Sequence, residues 1–334
     1  MLVRDLRRNI VEQNRRNRAV ARDGAWAGHA AASREMILAG RARLGAPSPR
    51  VLVLGAGACL DVPLRELCEG GGRVRLVDMD GPALSQAVER LPPGLRRRVD
   101  VRRLDLTGGL ERLGATVAPS VETASATGLA ALPNQLASFH FERPAFAELP
   151  SAGWDMVVSS AVLSQLIAFP SDAILARWVA QAREHAPRLL DPTMEDRIAD
   201  QLARLETESV TAHVTLLAEL VTPAGVVYLS TELLGPPAAA RTFAEARAAL
   251  ERRLVADVPD GPDILPATRT ASAAVAAPFS ILDRRTWLWD FLRPGVAVGV
   301  APQVFAMIGW LLAPRAPTGQ SDALPHPATG EVAV

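Results

Sequence analysis

Lysine is absent from this chain of 334 residues, and all 36 of its basic side chains are arginine. They are balanced by 36 acidic residues, and a formal net charge of zero excludes a global pull toward nucleic acid or an anionic membrane. Together with abundant alanine, the missing lysine points to a GC-rich bacterial coding sequence. Cysteine is nearly absent as well: Cys59 and Cys68 stand close together with no partner motif elsewhere. That pattern argues against a disulfide framework or a zinc site, so no metal is expected and a reducing cytoplasm is the expected location. A secretory leader is likewise not expected, because Met1 to Arg22 is too charged to supply its apolar segment.

With 49% apolar residues the chain can bury a sizeable core, as one large α/β domain with additions or as two small domains. The most informative stretch is VLVLGAGACLDVPL, Val51 to Leu64. Four consecutive apolar residues predict a buried parallel strand, and Gly55-Ala56-Gly57 predicts a sharp turn beneath a ligand. Asp61 reads as an N-cap with Pro63 in the first turn, so a helix is predicted over 61–69. A strand, a glycine loop and a helix N-terminus in series suit an anionic or zwitterionic ligand. A second strand over 73–78 ends in Asp78, whose carboxylate can accept both hydroxyls of a ribose. Asp80 is close enough to exchange roles with it, but strand register favours Asp78. A helix over 82–90 and a strand over 99–104 continue the alternation, which argues for a parallel sheet with helices on both faces. Gly57, Asp78 and Asp105 all fall at the carboxyl ends of predicted strands, where such sheets bind ligands. A nucleoside cofactor is the expectation.

Leu60 occupies the third glycine position of the dinucleotide-binding G-x-G-x-x-G fingerprint, which argues against NAD. The loop instead resembles motif I of the class I S-adenosylmethionine (SAM) methyltransferases. It departs from that motif at Cys59, which replaces the usual third glycine of a G-x-G-x-G turn, and at Val53, where many members are acidic. Further resemblances follow in order: Asp105-Leu106 after the third strand, WDMVVS at Trp154 to Ser159 as the fourth, and Ala224-Gly225 leading into VVYL as the fifth. Trp287-Leu288-Trp289 and Val304 to Leu312 are candidates for the last two strands. The resemblance covers roughly residues 50 to 312. It implies a doubly wound, Rossmann-like, mostly parallel seven-stranded sheet, with extra N-terminal helices here. It also implies SAM as cofactor: the amides of Gly55, Ala56 and Gly57 at its methionine portion, Asp78 at the ribose, Met79 against the adenine face, and Asp105 with Leu106 near the adenine amine. Asp61 is left open between a cap alone and an added bond to the cofactor's amino group.

Around that core the chain divides into an N-terminal helical segment, 1–45, a domain over 46–313, and a tail, 314–334, expected to be disordered. Helices are predicted over 2–21, with Val3, Leu6 and Ile10 on one face, and over 26–42, which carries His29. The arginines of the first helix suit a solvated face or dimer contact better than RNA. Insertions at about 107–153 and 165–221 are expected to shape a substrate pocket, and 235–280 reads as a lid, linker or poorly ordered stretch. Residues 295–313 approach a membrane span in length, but their interruptions favour a buried hairpin.

The acceptor side is weakly marked. Ser159-Ser160-Ala161-Val162 stands where nucleobase amino methyltransferases carry an Asn/Asp-Pro-Pro-aromatic sequence, and paired catalytic cysteines are missing. His140, Glu142, His185 and His213 are candidate bases, each read first as structural or exposed, and His213 as facing solvent. His29 could reach the active site, since helices before motif I often lie over the cofactor or substrate in the resembled family. The expected activity is methyl transfer from SAM to a small-molecule acceptor through oxygen, nitrogen or carbon. The alternatives are a non-catalytic SAM-binding scaffold, an NAD-dependent oxidoreductase or an RNA methyltransferase. Nucleic-acid and membrane partners are disfavoured, and a homodimer is open.

Overall fold

The apolar run after Arg50 forms strand β1, Arg50–Leu54, and it is buried on both sides: Val51 and Val53 join one core, Leu52 and Leu54 the other. A strand covered on both faces reads as continuous rather than alternating, which is why its sequence signal is so plain. The structure, a computed structural model, describes residues 2–22, 24–69, 71–141, 149, 153–255, 261, 263–293 and 303–315.

Six further strands complete one sheet: β2 Arg73–Asp78, β3 Val99–Arg103, β4 Trp154–Ser160, β5 Val221–Leu234, β6 Phe279–Leu292 and β7 Gln303–Pro314. Their order is β3-β2-β1-β4-β5-β7-β6. The first five are parallel, and β7 inserts antiparallel between β5 and β6. The expected doubly wound, mostly parallel seven-stranded sheet is present. Its order reverses between β1 and β4, and a ligand crevice opens at the carboxyl ends of strands beside such a switch.

Twelve α-helices are described, beginning with α1 Leu2–Arg22, α2 Ala27–Ala42, α3 Leu64–Glu69, α4 Gly81–Glu89 and α5 Pro93–Arg96. They continue as α6 Leu110–Val121, α7 Ala126–Ala130, α8 Leu132–Ser138, α9 Ala168–His185, α10 Pro192–Leu220, α11 Phe243–Val255 and α12 Pro266–Val275. On one face Met36, Ile37, Leu67 and Leu84 of α2, α3 and α4 pack on Val51, Val53, Met156 and Val158. On the other, Leu113, Leu136, Trp178 and Leu217 of α6, α8, α9 and α10 cover Leu52, Val157 and Val227. Helix α1 joins this second layer through the buried Leu6 and lies against α6 and α9.

Three expectations change. Residues 235–280 hold α11 and α12, and Ala267, Ala271 and Val275 of α12 are buried in the core; alanine-rich helices pack closely because their side chains are short. The predicted helix over 61–69 begins only at Leu64. Pro314 ends β7, while the rest of the predicted tail, from 316, and the start of the 295–313 segment lie outside the described residues. The remainder of that segment is strand β7, and among the described residues no helix is long and apolar enough to cross a membrane.

Candidate functional site

The turn leaving β1 is built from left-handed backbone: Gly55 has φ 64°, Gly57 φ 46° and Cys59 φ 49°. A Cβ on Gly55 would stand 2.2 Å from Val162 Cγ2, so the first glycine is needed for space as well as conformation. At Gly57 a Cβ would enter open space, so conformation rather than crowding asks for glycine there, and the Ala56 and Gly57 amides expected at a cofactor are instead engaged within the fold. Cys59 holds a conformation that L side chains rarely adopt, which accounts for the glycine expected at this position. Its thiol is buried, and burial pushes its pKa far up, so it is no thiolate nucleophile.

The turn is tied to β2. Ala56 donates its N–H to the Val77 carbonyl at 3.1 Å, and Gly57 donates to Asp78 Oδ2 at 2.8 Å. Asp78 Oδ1 accepts the Asp80 N–H at 2.8 Å. Burial raises the Asp78 pKa, opposed by the backbone N–H groups of Asp80 and Gly57. Two lone-pair sites on its oxygens are left for a ligand. Asp80 serves the local architecture instead, capping α4 by accepting the Ala83 N–H at 3.0 Å and pairing with Arg18 of α1 at 2.7 Å.

Asp105 lines the same cavity, but it chiefly holds its own loop. Oδ1 accepts the Thr107 N–H and hydroxyl at 2.9 and 2.8 Å, and Oδ2 accepts the Leu110 N–H at 2.9 Å. One of its roughly four acceptor sites therefore stays free for a ligand amine. Met79, Leu104, Leu106 and Leu110, with Ile10 of α1, make the apolar wall beside it. This cavity measures about 120 Å³. A second, of about 90 Å³, shares Asn14, Gly55, Ser160, Ala161 and Gln165 with it and continues to Asp61, His29, Trp26 and Trp289. Asn14, Asn17 and Arg18 of α1 form part of its wall.

Asp61 caps no helix, contrary to the sequence reading. The chain between Cys59 and Pro63 stays irregular before α3 starts at Leu64, and the carboxylate turns across the switch point instead. There Ser160 donates its hydroxyl to Asp61 Oδ2 at 2.5 Å, and His29 Nε2 lies 3.6 Å from the same oxygen. Burial alone would raise the Asp61 pKa, but the His29 ring and the Ser160 hydroxyl outweigh it and hold the carboxyl below its usual range. His29 itself is oriented by Trp287, whose indole N–H donates to Nδ1 at 3.1 Å. An indole nitrogen only donates, so Nδ1 is the acceptor and the ring's proton sits on Nε2, facing Asp61. Trp289 stacks on His29 with ring centroids 4.3 Å apart, and Trp26 meets Trp289 edge-on at 4.8 Å.

The remaining candidate bases lie elsewhere. His213 is buried, not solvent-facing: α10 turns it into the sheet, where Nε2 stands 2.9 Å from Ser159 Oγ, and burial pushes its pKa down to about 4. His140 contacts Glu208 at 3.1 Å and His185 lies 3.7 Å from Glu184, neither lining the cavities; Glu142 falls outside the described residues. Sequence reasoning missed Asn14, Gln165 and Ser230, to whose hydroxyl Ala161 donates its N–H at 3.2 Å. No local pattern marks such residues. The scarcity of aromatics, 4% of the chain, was the one available pointer to Trp26 and Trp289.

No family model matches this chain, and no curated protein does. Among solved structures it is similar to an arsenic(III) S-adenosylmethionine methyltransferase from Chlamydomonas reinhardtii, at 14% identity and TM-score 0.36, over 81% of this chain and 64% of that one. It is similar to a TehB-like SAM-dependent methyltransferase from Corynebacterium glutamicum at 9% identity and TM-score 0.33, over 85% and 87% of the two chains. A glycopeptide N-methyltransferase complexed with SAM is similar at 12% identity and TM-score 0.36, over 85% and 93%. Likeness at this level carries no function, and the fold rests on the strand order and register described above.

Proposed function

We propose that this chain is a SAM-dependent methyltransferase acting on a small-molecule acceptor. The observation that carries the reading is the joint between Gly57 and Asp78 at the carboxyl ends of β1 and β2, where Asp78 and Gly55 line a cavity beside the sheet's switch point. When bound, SAM supplies a methyl group activated on a sulfonium, and in-line transfer asks the protein mainly for alignment and exclusion of water.

The residues fit those requirements. Asp78 accepts the ribose hydroxyls on its remaining lone pairs, and Met79, Leu106 and Leu110 shield the base. Asp61, kept ionised, faces the amino group of the methionine portion and is held in place by Ser160 and His29. The acceptor sits in the second cavity, where Trp26 and Trp289 supply an apolar wall and Asn14 and Gln165 supply amides. Such a chamber suits a compact molecule rather than a nucleic acid strand.

Small-molecule sites usually enclose about 300 Å³ or more, and the two cavities together fall short of that. Helix α1 forms part of the wall of both cavities and is tied down by Arg18 to Asp80, so it is the element whose displacement would enlarge them.

Calorimetric titration with SAM and S-adenosylhomocysteine, with NAD alongside, tests the reading. Binding by wild type and loss in Asp78→Ala supports it and justifies an acceptor screen. Binding of NAD alone would overturn it, as would SAM binding without turnover over broad acceptor sets.

A further inference from the structure

The opposite end of the same strands carries a different kind of site. Arg50 opens β1, Arg73 and Arg75 lie in β2, and Arg97 and Arg98 complete the turn into β3. With Trp154 at the start of β4 they line a cleft of about 860 Å³, within the range of small-molecule sites. The backbone that presents them is pinned: Arg73 donates its N–H to the Pro49 carbonyl at 3.0 Å and Val74 to the Arg98 carbonyl at 2.9 Å. The Arg50 N–H donates to Asp155 Oδ2 at 2.7 Å.

The charge in this cleft is poorly compensated. Asp100 is the carboxylate of the lining, and it is held by Arg75 at 2.7 Å and Arg102 at 2.8 Å. Among the described residues no carboxylate pairs with the guanidinium of Arg50, Arg73, Arg97 or Arg98. Arg96, the preceding residue, shows the contrast: it donates to the Leu91 and Glu89 carbonyls at 2.9 and 2.7 Å. Like charges gathered in a concave surface repel one another and focus a positive potential that an anion relieves. The guanidinium fork matches phosphate oxygens in pairs. Trp154 adds a second sign: Arg50 and Arg75 each lie over its ring at 5.3 Å, and its buried indole N–H has no acceptor among the described residues. At 5% exposure that ring leaves no face on which a nucleobase could stack, so recognition here rests on phosphate charge.

We propose that this arginine cleft binds a soluble oligophosphate, the chemistry shared by inorganic polyphosphate and the phosphate chain of a nucleotide. It is separate from the cofactor cradle, since the five residues of β1 span about 16 Å at roughly 3.3 Å each. The proposal does not depend on the methyltransferase reading.

The test is calorimetric titration of the full chain with inorganic tripolyphosphate and with ATP, comparing wild type, Arg97→Ser/Arg98→Ser, Arg34→Ser/Arg43→Ser and Asp78→Ala. Wild type is expected to bind tripolyphosphate, with affinity falling roughly tenfold per cleft arginine removed. Removal of Arg34 and Arg43, which are exposed elsewhere, and of the Asp78 carboxylate is expected to leave it unchanged. Binding of ATP as tight as that of tripolyphosphate upholds the proposal and names the phosphate chain of a nucleotide as the source; weaker binding of ATP upholds it and names inorganic polyphosphate. Absence of tripolyphosphate binding overturns it, as does equal loss in both arginine pairs or loss in Asp78→Ala.

Discussion

The backbone N–H of Gly57 donates to Oδ2 of Asp78 at 2.8 Å, which makes the turn after β1 and the end of β2 one unit. Since Asp78 also accepts the Asp80 N–H at 2.8 Å, its carboxylate both organises the cradle and faces the cavity. Asp78→Ala orphans two N–H groups and is expected to cost about 1–3 kcal/mol of stability. It should also weaken SAM binding by at least roughly tenfold, read by calorimetry. Asp78→Asn, which keeps one acceptor oxygen, should fall between.

Gly55→Ala should be the more damaging change to the fold. Left-handed backbone costs an alanine about 1–2 kcal/mol, and its Cβ would stand 2.2 Å from Val162 Cγ2. Adding Val162→Ala should recover the steric part, about 1–3 kcal/mol, and leave the conformational part. Denaturant unfolding of the two variants reads the difference; no recovery in the double variant would refute the clash.

His213 makes stability acid-sensitive. Its folded pKa lies at about 4, against 6.5 for the exposed side chain, so between those values the unfolded chain binds the extra proton. Stability from this residue is therefore full above pH 6.5 and is lost as pH falls toward 4, by about 3 kcal/mol in all. Melting temperatures of wild type and His213→Gln across this window should converge as the pH falls.

Arg18→Ala should loosen the roof of the site without unfolding the sheet. The lost charged hydrogen bond to Asp80 is worth about 1.5–3 kcal/mol, and Asp80 retains its cap on α4. Amide exchange is expected to speed up along α1 while β1 and β4 keep their protection. SAM association should become faster. Unchanged exchange in α1 would show that Arg18 does not hold the roof.

Much of the fold is legible because burial writes itself into local sequence. Val51–Leu54 could only be a strand covered on both faces, and the glycine pair with Asp78 at a set distance locates the crevice before any contact is known. The roles of Asp61 and His213 escape a sequence reading for one reason. Each is judged there from its neighbours in the chain, whereas its partner comes from far along it: Ser160 for Asp61 and Ser159 for His213. Residues 235–280 mislead similarly, because proline and alanine suggest a linker while the surface that α12 covers is supplied by α10 and β5.

The sequence by itself determined the alternation of strands and helices, the crossover sheet and the end of it where the glycine turn meets Asp78. All three follow from short-range periodicity, glycine conformations and the handedness of parallel connections. Only the tertiary structure decided which side chains meet there. It set Trp287 against His29, His29 beside Asp61, and α1 over the cavity, and it gathered the arginines of three strand ends into one cleft. Those meetings join residues tens to hundreds of positions apart, and the closure of such loops is settled by packing of the whole core, which no local window of sequence contains.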